Sequence, residues 1–134
     1  MHKSLIPENN NKFITAAVLV SVFFIIFLFT SDLMAQDQDA VKLGEETFKS
    51  KGCAACHTIG KGKLSGPDLL GVTERREEEW LKKWLKSPDK MVMTDPIAKE
   101  MLKEYFVPMP NQNLSDEQIV SLIEYFKFAD KNNE

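Results

Sequence analysis

Two thiols and an imidazole stand within five residues, Cys53-Ala54-Ala55-Cys56-His57, and these are the only cysteines in the chain. The spacing suits covalent attachment of a haem, because each sulfur can form a thioether with a vinyl group while the adjacent imidazole reaches the iron. Other chemistries draw on similar residues. A redox dithiol of the thioredoxin kind belongs beside a βαβ pattern, and the sequence downstream shows none. A zinc site usually takes four protein ligands. Here the only other histidine, His2, lies across an apolar segment, so carboxylates or a second chain would have to complete the set. Haem attachment is the leading reading, with the dithiol, the half zinc site and chance behind it.

His57 supplies one axial position. A thioether in the other would stabilise ferrous iron, raise its potential and close the metal to other ligands. Downstream lie Met91, Met93, Met101 and Met109. Met109 is the favoured ligand, because Pro108 and Pro110 flank it and stiffen the backbone that would present its sulfur. Met101 falls on a helical apolar stripe, where a methionine more often fills a core. Met91 and Met93 sit in an irregular stretch after Pro88 and are the reserve candidates.

These groups need elements to hold them, and the pattern is helical throughout, with little sign of strand. Val41 to Lys51 reads as a helix, with Gly52 ending it before the haem motif. Lys61 to Leu70 carries glycine and proline and reads as loop. Glu77 to Lys86 places Trp80, Leu81, Trp84 and Leu85 on one stripe, and Ser87-Pro88 stops it. The tryptophans suit the core or the edge of a bound haem. Asp95-Pro96 starts another helix, with a capping carboxylate and a proline at the first position, and Ile97, Met101 and Tyr105 should face the core. Ser115 and Gln118 form a capping-box pattern before Ile119, Leu122, Ile123 and Phe126, the apolar face of the last helix.

The chain has 134 residues. Residues 13–30 contain no charge and are rich in Phe, Ile, Val and Leu. Eighteen such residues are close to the lower limit for crossing a membrane and longer than a usual signal-peptide core. Lys3 and Lys12 precede them, which places residues 1–12 in the cytoplasm and the chain beyond residue 30 on the extracytoplasmic, periplasmic side. Cleavage as a signal peptide after Ala35 is the competing reading. Residues 31–39 are a short polar linker, and 40–134 form one small domain. A formal charge of −3 speaks against general nucleic-acid affinity. Lys49, Lys51, Lys61 and Lys63 bracket the haem motif and could steer an acidic partner.

Beyond the five-residue motif, some ninety residues from near Ala40 to near Asp130 resemble a monohaem class I c-type cytochrome. Gly44 and Phe48 lead into Gly52-Cys53; Gly66-Pro67-Asp68-Leu69 comes next; Met109-Pro110 then precedes Leu114-Ser115 and a helix with Leu122 and Tyr125. The resemblance implies an all-α cytochrome c fold of about four to five helices around one haem c, attached through Cys53 and Cys56. It implies packing of Gly44 and Phe48 against Tyr125, axial ligation by His57 and Met109, and a hydrogen bond from the free ring nitrogen of His57 to the Pro67 carbonyl. It also implies single-electron transfer between respiratory donor and acceptor complexes, with no small-molecule substrate and no catalytic residue. A haem domain that binds gases or catalyses, and a permanent subunit of a respiratory complex, are the alternatives. For the carrier the apolar span would be a single-pass membrane anchor, and for the permanent subunit an assembly helix.

Overall fold

The computed structural model describes residues 17–23 and 38–132. The chain divides into two compact units, Met1–Gln36 and Asp37–Glu134. In the first, residues 17–23 are helical with exposed side chains. The rest of the apolar stretch 13–30, and residues 31–37, lie outside the described residues. Among the described residues no helix is long and apolar enough to cross a membrane.

Every described element of the second unit is helical. Helix α1 spans residues 38–50 and is followed by a 3-10 turn, Cys53–Ala55. Then come α2 (Val72–Arg75), α3 (Glu78–Lys86), α4 (Pro88–Thr94), α5 (Pro96–Tyr105) and α6 (Asp116–Asn132). Among the described residues of this unit, six α-helices exceed the four to five anticipated, and the two additions are short. Pro88 was expected to stop α3, and it does. It also occupies the first position of α4, where its missing N–H costs nothing and its fixed φ suits a helix. Met91 and Met93 therefore lie on a helix, not in an irregular stretch.

Helix α6 is the spine of the core. The Ser115 amide donates to Gln118 Oε1 and the Gln118 amide donates to Ser115 Oγ, both at 3.1 Å, so the reciprocal cap is formed. Leu114 and Ile119, the residues before the cap and at the fourth helical position, are buried in one cluster, as a hydrophobic staple requires. Leu122 and Ile123 are essentially inaccessible and lie among Phe48, Leu81, Leu85 and Phe126. Each such aliphatic side chain contributes about 1.5–3 kcal/mol by leaving water.

Helix α1 meets α6 through its glycine. A Cβ at Gly44 would overlap the Ser121 carbonyl and lie 2.7 Å from Tyr125 Cβ, so only a hydrogen fits. That close approach lets the Phe48 ring reach Tyr125 at 5.9 Å and Phe126 at 6.2 Å, the latter edge-on. The expected contact of Gly44 and Phe48 with Tyr125 is present. Outside the core, Glu78 of α3 pairs with Lys127 of α6 and with Lys82, each at 2.8 Å. These two lysines hold its carboxyl down to about 2.

On α5, Asp95 caps the helix by accepting from the Ala98 amide at 2.9 Å. The core-facing stripe is rotated from the one anticipated. Ile97 is exposed and Ala98 is wholly buried, while Met101 and Tyr105 are half-buried along a cleft. Helix α5 packs on α4, and the buried Ala98 lines the same cleft.

Candidate haem site

Helix α1 ends where the haem motif begins. Gly52 has φ +72, the left-handed turn in which a side chain is disfavoured, and it swings the chain out of the helix. The next residues close a tight turn: the amides of Cys56 and His57 both donate to the Cys53 carbonyl, at 3.1 and 3.0 Å. This turn brings Cys53, Cys56 and His57 together onto the wall of one overwhelmingly apolar cleft. Burial pushes the Cys53 thiol up. A dithiol oxidoreductase needs the opposite, a thiolate stabilised near neutral pH. Among the described residues no cluster of His, Cys, Asp and Glu forms a metal cage, so the half zinc site gains no further ligands.

The histidine ring is fixed from two sides. Nδ1 lies 2.9 Å from the Pro67 carbonyl. A carbonyl can only accept, so Nδ1 carries the proton and donates, which leaves the lone pair of Nε2 to coordinate a metal. Gly66 supplies the second side. A Cβ there would lie 2.5, 2.9 and 3.1 Å from three ring atoms of His57. The glycine before Pro67 is thus a flat floor for the imidazole, a role beyond the turn that the sequence suggests.

Of the four downstream methionines, Met101 and Met109 line the cleft, whereas Met91 and Met93 do not. Met93 is 72% exposed. Met109 also packs against the buried cluster that contains Phe48 and Phe126. It sits between its two prolines in the non-helical stretch from Phe106 to Ser115.

The cleft suits a large apolar plate that carries polar edges. Trp80 and Trp84 stack at 5.5 Å and both line it, as do Leu81 and Leu85. The indole N–H of Trp80 is buried with no hydrogen-bond partner among the described residues. The Asp95 carboxylate, held low first by the Ala98 amide, also feels this indole but completes no hydrogen bond with it. The guanidinium of Arg76 lies 5.6 Å from the Trp80 ring, and Arg75 and Arg76 both reach the cleft. An unused donor near Arg76, in a cleft that Arg75 also lines, fits a group that has carboxylates at one edge. The donor set, the glycine floor and this orphaned N–H together fit a covalently held haem.

The lysines bracketing the motif are largely engaged. Lys49 pairs with Glu45 at 2.5 Å, Lys63 with Glu104 at 3.8 Å, and Lys51 donates to the Gln112 carbonyl at 3.4 Å. The two acidic partners, Glu45 and Glu104, fit ordinary surface lysines better than a ring that steers an acidic protein. Sequence reasoning missed Asp68, Trp80's orphaned donor and Arg75. Asp68 alone had a local signal, an acceptor side chain set among Gly60, Gly62 and Gly66 in a loop.

Comparison with known proteins points the same way. The cytochrome c family model matches residues 41–128. Over 99 residues the chain is 28% identical to a nitric oxide reductase subunit of Stutzerimonas stutzeri, covering 69% of this chain and 60% of that protein. Over 105 residues it is 29% identical to cytochrome c oxidase subunit 2 of Bacillus subtilis (strain 168), covering 68% of this chain and 27% of that one. The chain thus spans less than two thirds of either curated relative. A solved cytochrome c from Rhodothermus marinus superposes with a TM-score of 0.69 at 30% identity, over 72% of this chain and 82% of that one.

Proposed function

This chain belongs to the cytochrome c family, with one haem c attached through Cys53 and Cys56, and from that premise we propose that it is a membrane-tethered carrier of single electrons. Haem supplies the redox chemistry, a one-electron change at iron. The protein's part is to bind, orient and exclude water.

His57 would provide the proximal ligand, held in one tautomer by its bond to Pro67. That bond raises the basicity of the ring and fixes its plane. Met109 would provide the distal ligand, and two fixed ligands keep the structural change on electron transfer small. An anchored imidazole and a proline-flanked thioether lining one cleft are the observation that carries this reading. The apolar walls keep water from the metal, and electron transfer needs no acid, base or substrate pocket.

Residues 13–30 would tether the domain as a single-pass anchor, with residues 1–12 cytoplasmic and the haem domain on the periplasmic side, supported by the uncharged run and by Lys3 and Lys12 before it. Respiratory donor and acceptor complexes are the proposed partners, since two similar proteins are named as subunits of a nitric oxide reductase and of a cytochrome c oxidase. The same names favour a second reading, in which the domain is a permanent subunit. Purification from native membranes separates the two: a carrier leaves alone, a subunit leaves with its complex.

Carbon monoxide tests the ligation. The reduced native protein should leave its absorption spectrum unchanged under the gas, while Met109→Ala should bind it. Binding by the native protein would overturn the carrier reading in favour of a ligand-binding or catalytic haem.

A further inference from the structure

The loop that carries Pro67 has no regular structure, yet it delivers one carbonyl to within hydrogen-bond distance of His57. What organises it is the next side chain. Asp68 Oδ1 accepts from the amides of Gly60 and Leu70 at 2.8 and 2.9 Å, and Oδ2 accepts from the amide of Gly62 at 2.5 Å. The backbone on both sides of Pro67 is thereby gathered onto one carboxylate. Arg75 adds a brace from α2, donating to the carbonyls of Leu70 and Asp68 at 2.5 and 3.0 Å.

The carbonyl carbon of Pro67 is bonded to the amide nitrogen of Asp68, so fixing Asp68 fixes the direction in which Pro67 presents its oxygen. We propose that Asp68 is a positioning residue that sets the strength of the His57–Pro67 hydrogen bond and, through it, the electron donation of His57 to iron. The inference rests on the reading of His57 as proximal ligand. A carboxylate is the matching side chain, because three amides need acceptors on both oxygens. An asparagine has one acceptor oxygen and would turn an NH2 toward at least one of those N–H groups. Burial would raise the Asp68 carboxyl, but donation from the Leu70, Gly60 and Gly62 amides outweighs it and holds the group at about 2.

The test compares Asp68→Asn and Asp68→Glu in the holoprotein by redox titration and by proton NMR of the His57 ring. Loss of a negative charge alone would raise the reduction potential in Asp68→Asn and leave Asp68→Glu like the native protein. Positioning predicts that both variants raise it. It also predicts that the His57 Nδ1 proton exchanges with solvent about tenfold faster in both, the loss of one ordinary hydrogen bond. Native values for both readouts in Asp68→Glu would overturn the proposal. Should Asp68→Asn fail to accumulate with haem, Asp68→Glu carries the comparison, because it keeps the charge and moves only its position. A His57 ring with no paramagnetic shift in the ferric native protein would instead overturn the ligand reading itself.

Discussion

The segments that bring His57 and Met109 to the cleft are held in the fold by different means. On the histidine side, the Gly66 amide donates to Cys56 O at 2.9 Å, the Leu69 amide donates to Thr58 O at 2.8 Å, Asp68 gathers three further amides, and Asp130 of α6 accepts from the amides of Gly71 and Thr73. The methionine side is tied sparsely. Asn111 Nδ2 donates to Asp89 of α4 at 3.0 Å, the Asn113 amide donates to Asn111 Oδ1 at 2.9 Å, and the Gln112 carbonyl accepts from Lys51 at 3.4 Å. Pro108 and Pro110 can donate no backbone hydrogen bond, so what keeps Met109 in place is their restricted φ and its packing. The histidine loop is cross-linked into the fold; the methionine loop is held by a stiff chain. Exchange of a ligand is therefore expected at the methionine side.

Gly66→Ala should break the cross-linked side with the largest effect. Its Cβ would meet three ring atoms of a histidine already anchored at Nδ1, and overpacking of this kind costs about 1–3 kcal/mol or more. The expected outcome is displacement of the ring and loss of the low-spin spectrum, read by absorbance and by the haem content of purified protein. Gly44→Ala is the matched control. It imposes a tighter overlap away from the cleft, against the Ser121 carbonyl, so it should lower stability at least as much while leaving the ligand spectrum unchanged.

Ser115→Ala removes half of the reciprocal cap on α6, the helix that closes the methionine loop. Denaturant unfolding should show a loss of about 1 kcal/mol, with the spectrum intact. Pro110→Ala acts on the stiff chain itself. It should release about 0.4–1 kcal/mol of loop constraint, and imidazole added to the ferric protein should bind about two- to fivefold more tightly. An equal gain in a variant of the histidine loop would erase the contrast between the two sides.

Glu78→Gln should have the smallest effect, within about 0.5 kcal/mol, because its ion pairs, one within α3 and one to α6, lie at the solvent-exposed surface and are screened. Its sign with pH is set by the depressed carboxyl. The contribution is present above the ordinary carboxylate range and is lost as pH falls toward about 2. Thermal melts of the native protein and the variant should converge at the acid end and in high salt.

Much of this architecture is legible in the residues because its signals are local. The caps at Asp95 and Ser115, the apolar face of α6 and the Cys53-to-His57 motif each occupy a few adjacent positions and appear where anticipated. Helices α2 and α4 escape such reading because four and seven residues are too few to show a period. Pro88 reads only as a stop because the same residue serves both ends of a break. What separates Met109 from Met91 and Met93 is which residues line the cleft, and that depends on how α4 and α5 pack. The orphaned N–H of Trp80 and the amides gathered by Asp68 are likewise products of the folded chain. No spacing encodes them.

The most direct test of His57/Met109 ligation is the near-infrared and far-red spectrum of the ferric holoprotein, native and as Met109→Ala and Met101→Ala. A weak band near the red end of the visible, the mark of iron bound to a thioether sulfur, should be present in the native protein, persist in Met101→Ala and vanish in Met109→Ala. A native spectrum that is high-spin and lacks the band, or a band that survives in Met109→Ala, would contradict the account.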